Sequence, residues 1–263
     1  MKLFAFDLDG TIVTHDYLIP DNILRAIRAV KEAGHLVTVI TGRVWESAKP
    51  FVQQLQLETP IGTAQGGCVT LPDGSYMRDL RLSHIDTRAI IEQYAPLVEE
   101  FFVPHEMAVY VKNPDSRRSD GKPYWDWARS EGRQIVPFFE QFPTVQPPKL
   151  TLHGHGVNKH LETLAAAYPN HIFYPWGDYY LEIAPSGAHK GAALEIIANH
   201  LGIAQADTIA FGDGNNDLTM LEWAGYSVAV GEVEAHQSGI ADETILPPEE
   251  NGVAIWLEQF LQK

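Results

Sequence analysis

The sequence predicts an α/β fold: a doubly wound, Rossmann-like parallel sheet with a second α+β domain inserted into it. Near both ends of the chain, short apolar runs alternate with amphipathic stretches, which is the pattern of βαβ units. Between residues 82 and 183 the texture changes to aromatic residues and alternating strands. We therefore predict a core formed by residues 1–81 and 184–263, interrupted by a separate domain over residues 82–183.

Apolar spacing places the elements of the first core segment. Asp21 is a candidate N-cap for a helix whose apolar stripe stops at Gly34. Pro50 restricts where the next helix can start, and Asp73 with Gly74 suits a hairpin turn. The predicted strands are 3–8, 36–40 and 61–64, and the predicted helices lie between Asp21 and Gly34 and over about 46–55.

The remaining elements are predicted from the same periodicities. In the inserted domain a helix begins near Ser83, and strands cover 149–153 and 179–183. Residues 113–148 are rich in proline and give no clear element. The core resumes after residues 185–187 with helices at 189–201, after Asp217 and through Leu257, and with strands at 208–211, 226–230 and 244–246.

Composition limits the class of protein and its partners. The chain has 263 residues, 45% of them hydrophobic, which is enough to bury a sizeable core. Its 34 acidic residues outnumber 19 basic ones, so nucleic acid is not expected as a main partner. Cys68 is the single cysteine, which excludes an internal disulfide. The apolar run at 3–6 is too short for a signal peptide or a membrane span, so we expect a cytoplasmic protein without a membrane partner.

Two carboxylates, Asp7 and Asp9, lie at the C-terminal end of the first predicted strand, and Gly10 lets the backbone turn away. Residues at i and i+2 point to the same side of a strand, and open α/β sheets bind ligands at this end. Burying two carboxylates without a partner is costly, so the pair indicates a cation, a shared proton or a strong hydrogen-bond network. The alternative is an ordinary boundary between strand and turn, where Asp and Gly are common.

A second acidic segment, residues 212–217 (Gly-Asp-Gly-Asn-Asn-Asp), lies between a predicted strand and a predicted helix. Its hard oxygen ligands suit Mg²⁺. A calcium loop does not fit, because Leu218 and Ala224 stand where that loop needs its glycine and its glutamate. A dinucleotide-binding fingerprint fails because Asp217 replaces its third glycine. A plain turn rich in Asp and Asn is the remaining alternative.

Two further positions lie between these segments. Thr41 and Gly42 end the predicted strand 36–40, where a hydroxyl and nearby backbone N–H groups can hold a phosphate oxygen. Lys190 starts a predicted helix and supplies the cation that the carboxylates lack. Taken alone, each of these residues is common in purely structural positions, and Arg43 is left unassigned.

In this order, residues 7–11, Thr41, Lys190 and residues 212–217 resemble the four motifs of the haloacid dehalogenase superfamily of phosphohydrolases. The position and texture of the inserted domain resemble the Cof-type branch with its large α+β cap, and residues 250–254 are similar to the ending of that branch. The resemblance covers the core at both ends of the chain. It implies a phosphatase that acts on a small-molecule phosphate ester and uses Mg²⁺ as its cofactor.

The resemblance also implies the roles of individual residues. Asp7 is the nucleophile that forms an aspartyl-phosphate, and Asp9 is the acid and base. Mg²⁺ is held by Asp7, the Asp9 backbone carbonyl and Asp213. Asp217 orders the waters of the metal, and Lys190 pairs with both the nucleophile and the phosphate. Hydrogen bonds to the phosphoryl oxygens come from Thr41, with Gly42, and from Asn216.

The chain departs from the Cof-type branch after the strand at 61–64. It has Gln65-Gly66-Gly67 where relatives usually carry Asn-Gly-Ala. The two glycines can preserve the backbone turn, but the asparagine side chain is absent.

Three functions are compatible with these residues. The first is a phosphatase for a sugar phosphate or a similar small phosphomonoester, and the second is a phosphotransferase or mutase on the same core. A mutase releases no inorganic phosphate, so product analysis separates the two. A non-catalytic binding protein is disfavoured because every core position needed for chemistry holds a competent residue.

The cap is expected to close over the site and set substrate choice, with Glu182, Trp176, Tyr179 and Tyr180 as candidate contacts.

Overall fold

The structure is a computed structural model that describes residues 1–232 and 239–262. The chain forms two compact units, which we call the core unit (Met1–Asp79 with Ala188–Lys263) and the cap unit (Leu80–Gly187). The core unit is therefore interrupted once, in the middle of the chain, by the cap unit. That residues 82–183 are an independent domain stays a prediction.

The elements are as follows. The strands are β1 (Leu3–Phe6), β2 (Leu36–Val39), β3 (Ile61–Thr63), β4 (Cys68–Thr70), β5 (Tyr76–Asp79), β6 (Glu100–His105), β7 (Ala108–Val111), β8 (Gln134–Pro137), β9 (Leu150–His153), β10 (His171–Trp176), β11 (Tyr180–Pro185), β12 (Thr208–Gly212), β13 (Tyr226–Val230) and β14 (Glu243–Ile245). The helices are α1 (Asp21–Glu32), α2 (Trp45–Gln54), α3 (His84–Tyr94), α4 (Asp126–Ser130), α5 (Phe138–Gln141), α6 (Leu161–Ala167), α7 (Lys190–Leu201), α8 (Leu218–Trp223) and α9 (Gly252–Leu261).

The core unit is built on a five-stranded sheet in the order β14-β13-β12-β1-β2, and every neighbouring pair is parallel. Successive residues of β1 point to opposite faces of this sheet. Phe4 and Phe6 pack with the apolar residues of α1 and α9, whereas Leu3 and Ala5 pack with those of α7 and α8. Helices therefore cover both faces, and the predicted doubly wound α/β fold is confirmed.

Local sequence accounts for the first helices. In α1, Ile23, Ala26, Ile27 and Val30 are buried and recur at the spacing of one helical face. In α2, Pro50 lies inside the helix. The prediction that Pro50 limits where this helix starts is therefore wrong. Pro50 is on the exposed side, so the carbonyl four residues before it can be hydrated when the proline leaves it without a donor.

The cap unit contains a six-stranded sheet in the order β10-β11-β9-β6-β7-β8, antiparallel except for the pair β7 and β8. Apolar residues of α3 and α6 pack with Phe101 and Leu152 of this sheet. The Ser83 side chain caps α3 by accepting a hydrogen bond from the Asp86 N–H at 2.9 Å. The region 113–148, which had no predicted elements, contains α4, β8 and α5.

A membrane-spanning segment was not expected from the sequence. In residues 1–232 and 239–262 we find no helix with both the length and the apolar character needed to cross a membrane. The cytoplasmic location stays a prediction.

Candidate functional site

Three residues singled out in the sequence leave the same edge of the core sheet. Asp7 follows β1, Thr41 follows β2 after one residue, and Asp213 follows β12. In the sheet β1 lies between β12 and β2, and these strands are parallel. The carboxyl ends of adjacent parallel strands meet at one edge, so the fold itself brings these three positions together.

A buried lysine joins this edge to helix α7. The Nζ atom of Lys190 lies 2.7 Å from Oδ1 of Asp7 and 2.6 Å from Oδ1 of Asp217. The side chains of Lys190 and Asp217 are fully buried, and that of Asp7 is 7% exposed. Burying a charged lysine without carboxylate partners would cost a large desolvation free energy. All three charges can therefore be buried only because these two ion pairs form.

The pKa of Lys190 reflects this balance of forces. Burial alone would lower the pKa of the lysine, because it disfavours the charged form. The negative charges and hydrogen bonds of Asp217 and Asp7 outweigh burial and raise the pKa above its ordinary value. Lys190 is therefore a permanent cation at neutral pH, not a proton donor.

The carboxylates of the site outnumber its cation. Asp7, Asp213 and Asp217 each offer one oxygen atom, and these three atoms lie within 4.8 Å of one another. Burial raises the pKa of Asp7 well above its usual range, and neighbouring carboxylates add to that effect although Lys190 opposes it. Burial and the charge of Asp217 likewise raise the pKa of Asp213 to about 7. A divalent cation would relieve this repulsion, and hard oxygen donors are what Mg²⁺ prefers, so these residues fit a magnesium site.

The loop after β1 fixes the position of Asp213. The Thr11 hydroxyl donates a hydrogen bond to Oδ1 of Asp213 at 3.2 Å. Gly10 has a φ of +78°, and a Cβ atom there would lie 2.2 Å from Oδ2 of the same carboxylate. Only glycine permits this close approach, which explains the glycine directly after Asp9.

Asp217 holds the loop after β12 in shape. Its Oδ2 atom accepts hydrogen bonds from the backbone N–H groups of Asp213 and Gly214, at 3.1 and 3.0 Å. Its other oxygen is paired with Lys190. One buried side chain therefore both folds the loop and balances the charge of the lysine.

The predicted phosphate-binding residues also lie in buried loops. Thr41 is 1% exposed, and its hydroxyl accepts a hydrogen bond from the Arg43 N–H at 3.1 Å. Asn216 is 5% exposed, and its Nδ2 atom donates to Oε1 of Gln65 at 2.9 Å. Gly42 lies against the Gln65 side chain, because a Cβ atom on this glycine would be 2.6 Å from Nε2 of Gln65.

Asp9 differs from the other aspartates in its partner. Its side chain is half exposed and accepts two hydrogen bonds from the Arg43 guanidinium, from Nε at 2.7 Å and from a terminal nitrogen at 2.5 Å. The guanidinium also lies over the rings of Tyr17 and Phe51, with its central carbon 5.5 and 4.7 Å from their centroids. The predicted metal contact of Asp9 was its backbone carbonyl, and this side-chain pairing leaves that prediction untested.

Two residues of the site have contacts that the sequence does not predict. Arg43 follows Thr41 and Gly42 directly, but a lone arginine carries no sign of its partner. In the sequence Gln65 differs from the usual Asn, but its contact with Asn216 joins residues 151 positions apart. That departure was the signal that could have marked Gln65 as a site residue.

Comparison with known proteins agrees with this geometry. A family model for haloacid dehalogenase-like hydrolases matches residues 4–257 of the chain. The 5-amino-6-(5-phospho-D-ribitylamino)uracil phosphatase YitU of Bacillus subtilis is 30% identical, over 98% of this chain and 97% of the relative. The HMP-PP phosphatase of Cronobacter sakazakii is 28% identical, over 88% of this chain and 84% of the relative.

Solved structures share the fold. A haloacid dehalogenase-like hydrolase from Bacteroides thetaiotaomicron superposes with a TM-score of 0.84 at 21% identity, covering 98% of this chain and 99% of that one. At this identity the likeness concerns the fold alone.

The ion pairs of Lys190 predict a large effect on stability. Lys190→Met leaves two buried carboxylates without their cation, so we expect the free energy of unfolding to fall by about 3–5 kcal/mol. Urea denaturation at neutral pH without added Mg²⁺, followed by circular dichroism, measures it. Lys159→Met, at an exposed lysine, is the matched control and should change stability by less than about 0.5 kcal/mol. Equal midpoints for the two variants would contradict the electrostatic account.

Proposed function

Because the chain belongs to the haloacid dehalogenase-like hydrolases, we propose that it is a Mg²⁺-dependent phosphatase that cleaves a small phosphomonoester through an aspartyl-phosphate on Asp7. Relatives that are named phosphatases confirm the predicted class of enzyme. The observation that carries the proposal is the group formed by buried Asp7 and Asp217 and half-buried Asp213 near Lys190 at the carboxyl edge of the sheet. It supports the proposal because the residues to which we assign the roles of nucleophile, metal ligand and cation lie close together.

Asp7 is the proposed nucleophile. One of its carboxylate oxygens forms a bond to phosphorus while the bond from phosphorus to the ester oxygen breaks, which releases the alcohol. Water then attacks the phosphorus of the aspartyl-phosphate, releasing inorganic phosphate and the free carboxylate. An oxygen of Asp7 is already held 2.7 Å from Lys190, so its direction is fixed before substrate arrives.

The residues that would hold Mg²⁺ are Asp7, the backbone carbonyl of Asp9 and Asp213, with Asp217 ordering the waters of the metal. When bound, Mg²⁺ would neutralise negative charge on the transferring phosphoryl group. The raised pKa values of Asp7 and Asp213 support this assignment, since burial and neighbouring carboxylates disfavour the charged forms and a bound cation would favour them.

Lys190, Thr41 and Asn216 are proposed to bind the phosphoryl oxygens. Lys190 is a fixed cation beside the nucleophile, and it partly offsets the repulsion between the Asp7 carboxylate and the phosphate anion. The Thr41 hydroxyl and the Asn216 amide are donors on different loops, and Gly42, beside Thr41, leaves room for the Gln65 side chain that contacts Asn216. These hydrogen bonds raise the rate only as far as they strengthen in the transition state.

Asp9 is proposed to protonate the leaving alkoxide and later to take a proton from the attacking water. Its side chain is bound to Arg43 by two hydrogen bonds. Each carboxylate oxygen has a second lone pair beside its bond to Arg43, so Asp9 can contact the leaving group while it stays bound to Arg43.

The cap unit is proposed to choose the substrate. The chemical residues all lie outside Leu80–Gly187, while this unit carries the exposed aromatic side chains of Trp176, Tyr179 and Tyr180. The rings of such side chains can make apolar contacts with the part of a metabolite that is not phosphate, and their O–H or N–H groups can form hydrogen bonds to it. Glu182, another candidate, is buried in an ion pair with Lys149 at 2.5 Å, so it is better suited to shaping the sheet than to direct contact.

The nucleophile is tested by Asp7→Asn, which keeps the shape of the side chain but cannot attack phosphorus. We expect phosphate release to fall by at least about a thousandfold while the circular dichroism spectrum stays unchanged. The assay measures inorganic phosphate from a panel of sugar phosphates together with 5-amino-6-(5-phospho-D-ribitylamino)uracil, the compound in the name of one relative. Asp207→Asn, at an exposed surface pair with Lys2, is the control and should retain wild-type activity. Activity of Asp7→Asn within about tenfold of wild type would remove Asp7 from this role.

The metal is tested by chelation and replacement. Treatment with EDTA should stop turnover and Mg²⁺ should restore it, whereas Ca²⁺ should not, because its larger and looser coordination misplaces the phosphoryl group. In Asp213→Ala the Mg²⁺ concentration for half-maximal activity should rise at least about tenfold. Full activity in metal-free buffer would refute the carboxylate assignment, and an unchanged requirement in Asp213→Ala would indicate a different ligand.

The role of the cap unit is tested by excision. Joining Asp79 to Ala188 through a short Gly/Ser linker removes the whole cap unit, and folding is checked first by circular dichroism. The shortened protein should keep Mg²⁺-dependent hydrolysis of an aryl phosphate, whose good leaving group needs little orientation, and lose its preference among metabolites. If the folded core unit ranked the metabolites as the full chain does, specificity would have to reside in core loops.

A further inference from the structure

Gln65 lies between the two loops that carry the proposed phosphate donors. It follows β3 in a short turn, and its side chain is fully buried. One of these loops contains Thr41 and Gly42 and the other contains Asn216. The amide oxygen and the amide nitrogen of a buried glutamine both need hydrogen-bond partners. The role of Gln65 can therefore be inferred from the residues that its side chain contacts.

The backbone of this turn is tied to the loop after β2. The N–H of Gln65 donates to the Thr41 carbonyl at 3.1 Å, and the N–H of Ala64 donates to the Arg43 carbonyl at 2.7 Å. Both residues adopt positive φ angles, 49° at Ala64 and 60° at Gln65, which residues with a Cβ atom rarely do. The turn therefore holds an unfavourable backbone conformation while it fixes the loop that contains Thr41.

The Gln65 side chain connects this loop to the loop after β12. Its Oε1 atom accepts a hydrogen bond from Nδ2 of Asn216 at 2.9 Å, and Asn216 is itself buried. Its Nε2 atom lies against Gly42, at 2.6 Å from where a Cβ atom of that residue would be. One side chain is thus in contact with residues on both proposed phosphate loops.

We propose that Gln65 is a positioning residue that orients the Asn216 amide toward the phosphoryl group and holds it in register with Thr41. The proposal rests on the proposed function, in which Thr41 and Asn216 bind phosphate. An amide NH₂ group has two hydrogens, and Gln65 accepts one of them, so the direction of the other is fixed for the phosphate. An Asn at position 65 is shorter by one methylene and would not make the same contact from this backbone.

The consequence for phosphate binding is specific. Without its acceptor, the Asn216 amide can rotate and must be ordered again each time phosphate binds. We expect Gln65→Met, which keeps length and apolar packing, to raise both KM and the inhibition constant of inorganic phosphate about five- to tenfold. The Mg²⁺ concentration for half-maximal activity should stay within about twofold, because the contact under test is with Asn216, which is not a proposed metal ligand. A merely structural role would lower the yield of folded enzyme and leave the inhibition constant unchanged.

The matched control is Gln56→Met. Gln56 is also a glutamine at positive φ, 51°, but it is exposed, so the same chemical change there should leave every constant at its wild-type value. A double-mutant cycle with Asn216→Ala then tests the contact itself. If Gln65 acts through Asn216, the double variant should bind phosphate no more than about twofold worse than Asn216→Ala alone. Effects that multiply in the double variant would overturn the proposal, and so would an unchanged inhibition constant in Gln65→Met.

A measurement without catalysis separates this proposal from the proposed function. The side-chain amide signals of Asn216 in a ¹⁵N-¹H spectrum are identified by their loss in Asn216→Ala. They should shift in Gln65→Met and stay in place in Gln56→Met. Signals that do not move in Gln65→Met would refute the positioning role even in an active phosphatase. A protein that releases no phosphate from any ester, yet shows the shift, would refute the proposed function and leave the contact established.

Discussion

The two ion pairs of Lys190 are the interaction on which the rest of the site depends. Asp7 ends the first strand and Asp217 closes the loop after β12, and neither carboxylate could be buried beside the other without a cation. Lys190 is the first residue of α7, where the chain has just returned to the core unit. A charged contact therefore joins the two core segments at the sheet edge, in addition to the apolar packing of Leu3 and Ala5 against α7.

Even with Lys190 present, the negative charges of the site's aspartates outnumber the positive charge of the lysine. One lysine faces the carboxylates of Asp7, Asp213 and Asp217, and burial raises the pKa of Asp213 to about 7. A phosphate anion would not enter such a site unaided, because it would add negative charge to a group that already repels itself. A divalent cation would offset both repulsions, so under the proposed function the metal and the phosphate would bind at the same place. The strongly acidic composition of the chain is thus no obstacle to an anionic substrate.

Local patterns were sufficient for most of the core unit. Buried strands and the apolar stripe of α1 are encoded by neighbours a few residues apart, and the chemical residues fall at strand ends that the parallel order brings together. The cap unit was harder, because α4 and β8 are short and are held by tertiary packing. Trp125, for example, packs on Phe102 from a segment whose own sequence shows no periodicity. No local signal reports such a contact.

Arg43 and Gln65 show the same limit within the site. Each side chain has a partner that is distant in the sequence, Asp9 at 34 positions and Asn216 at 151 positions. A motif records which residue types occur in order along the chain, whereas these contacts depend on how loops from different strands meet. The effect of Gln in place of the usual Asn can therefore be understood only together with its partner. The shorter Asn side chain would not make the same contact with Asn216 from this backbone.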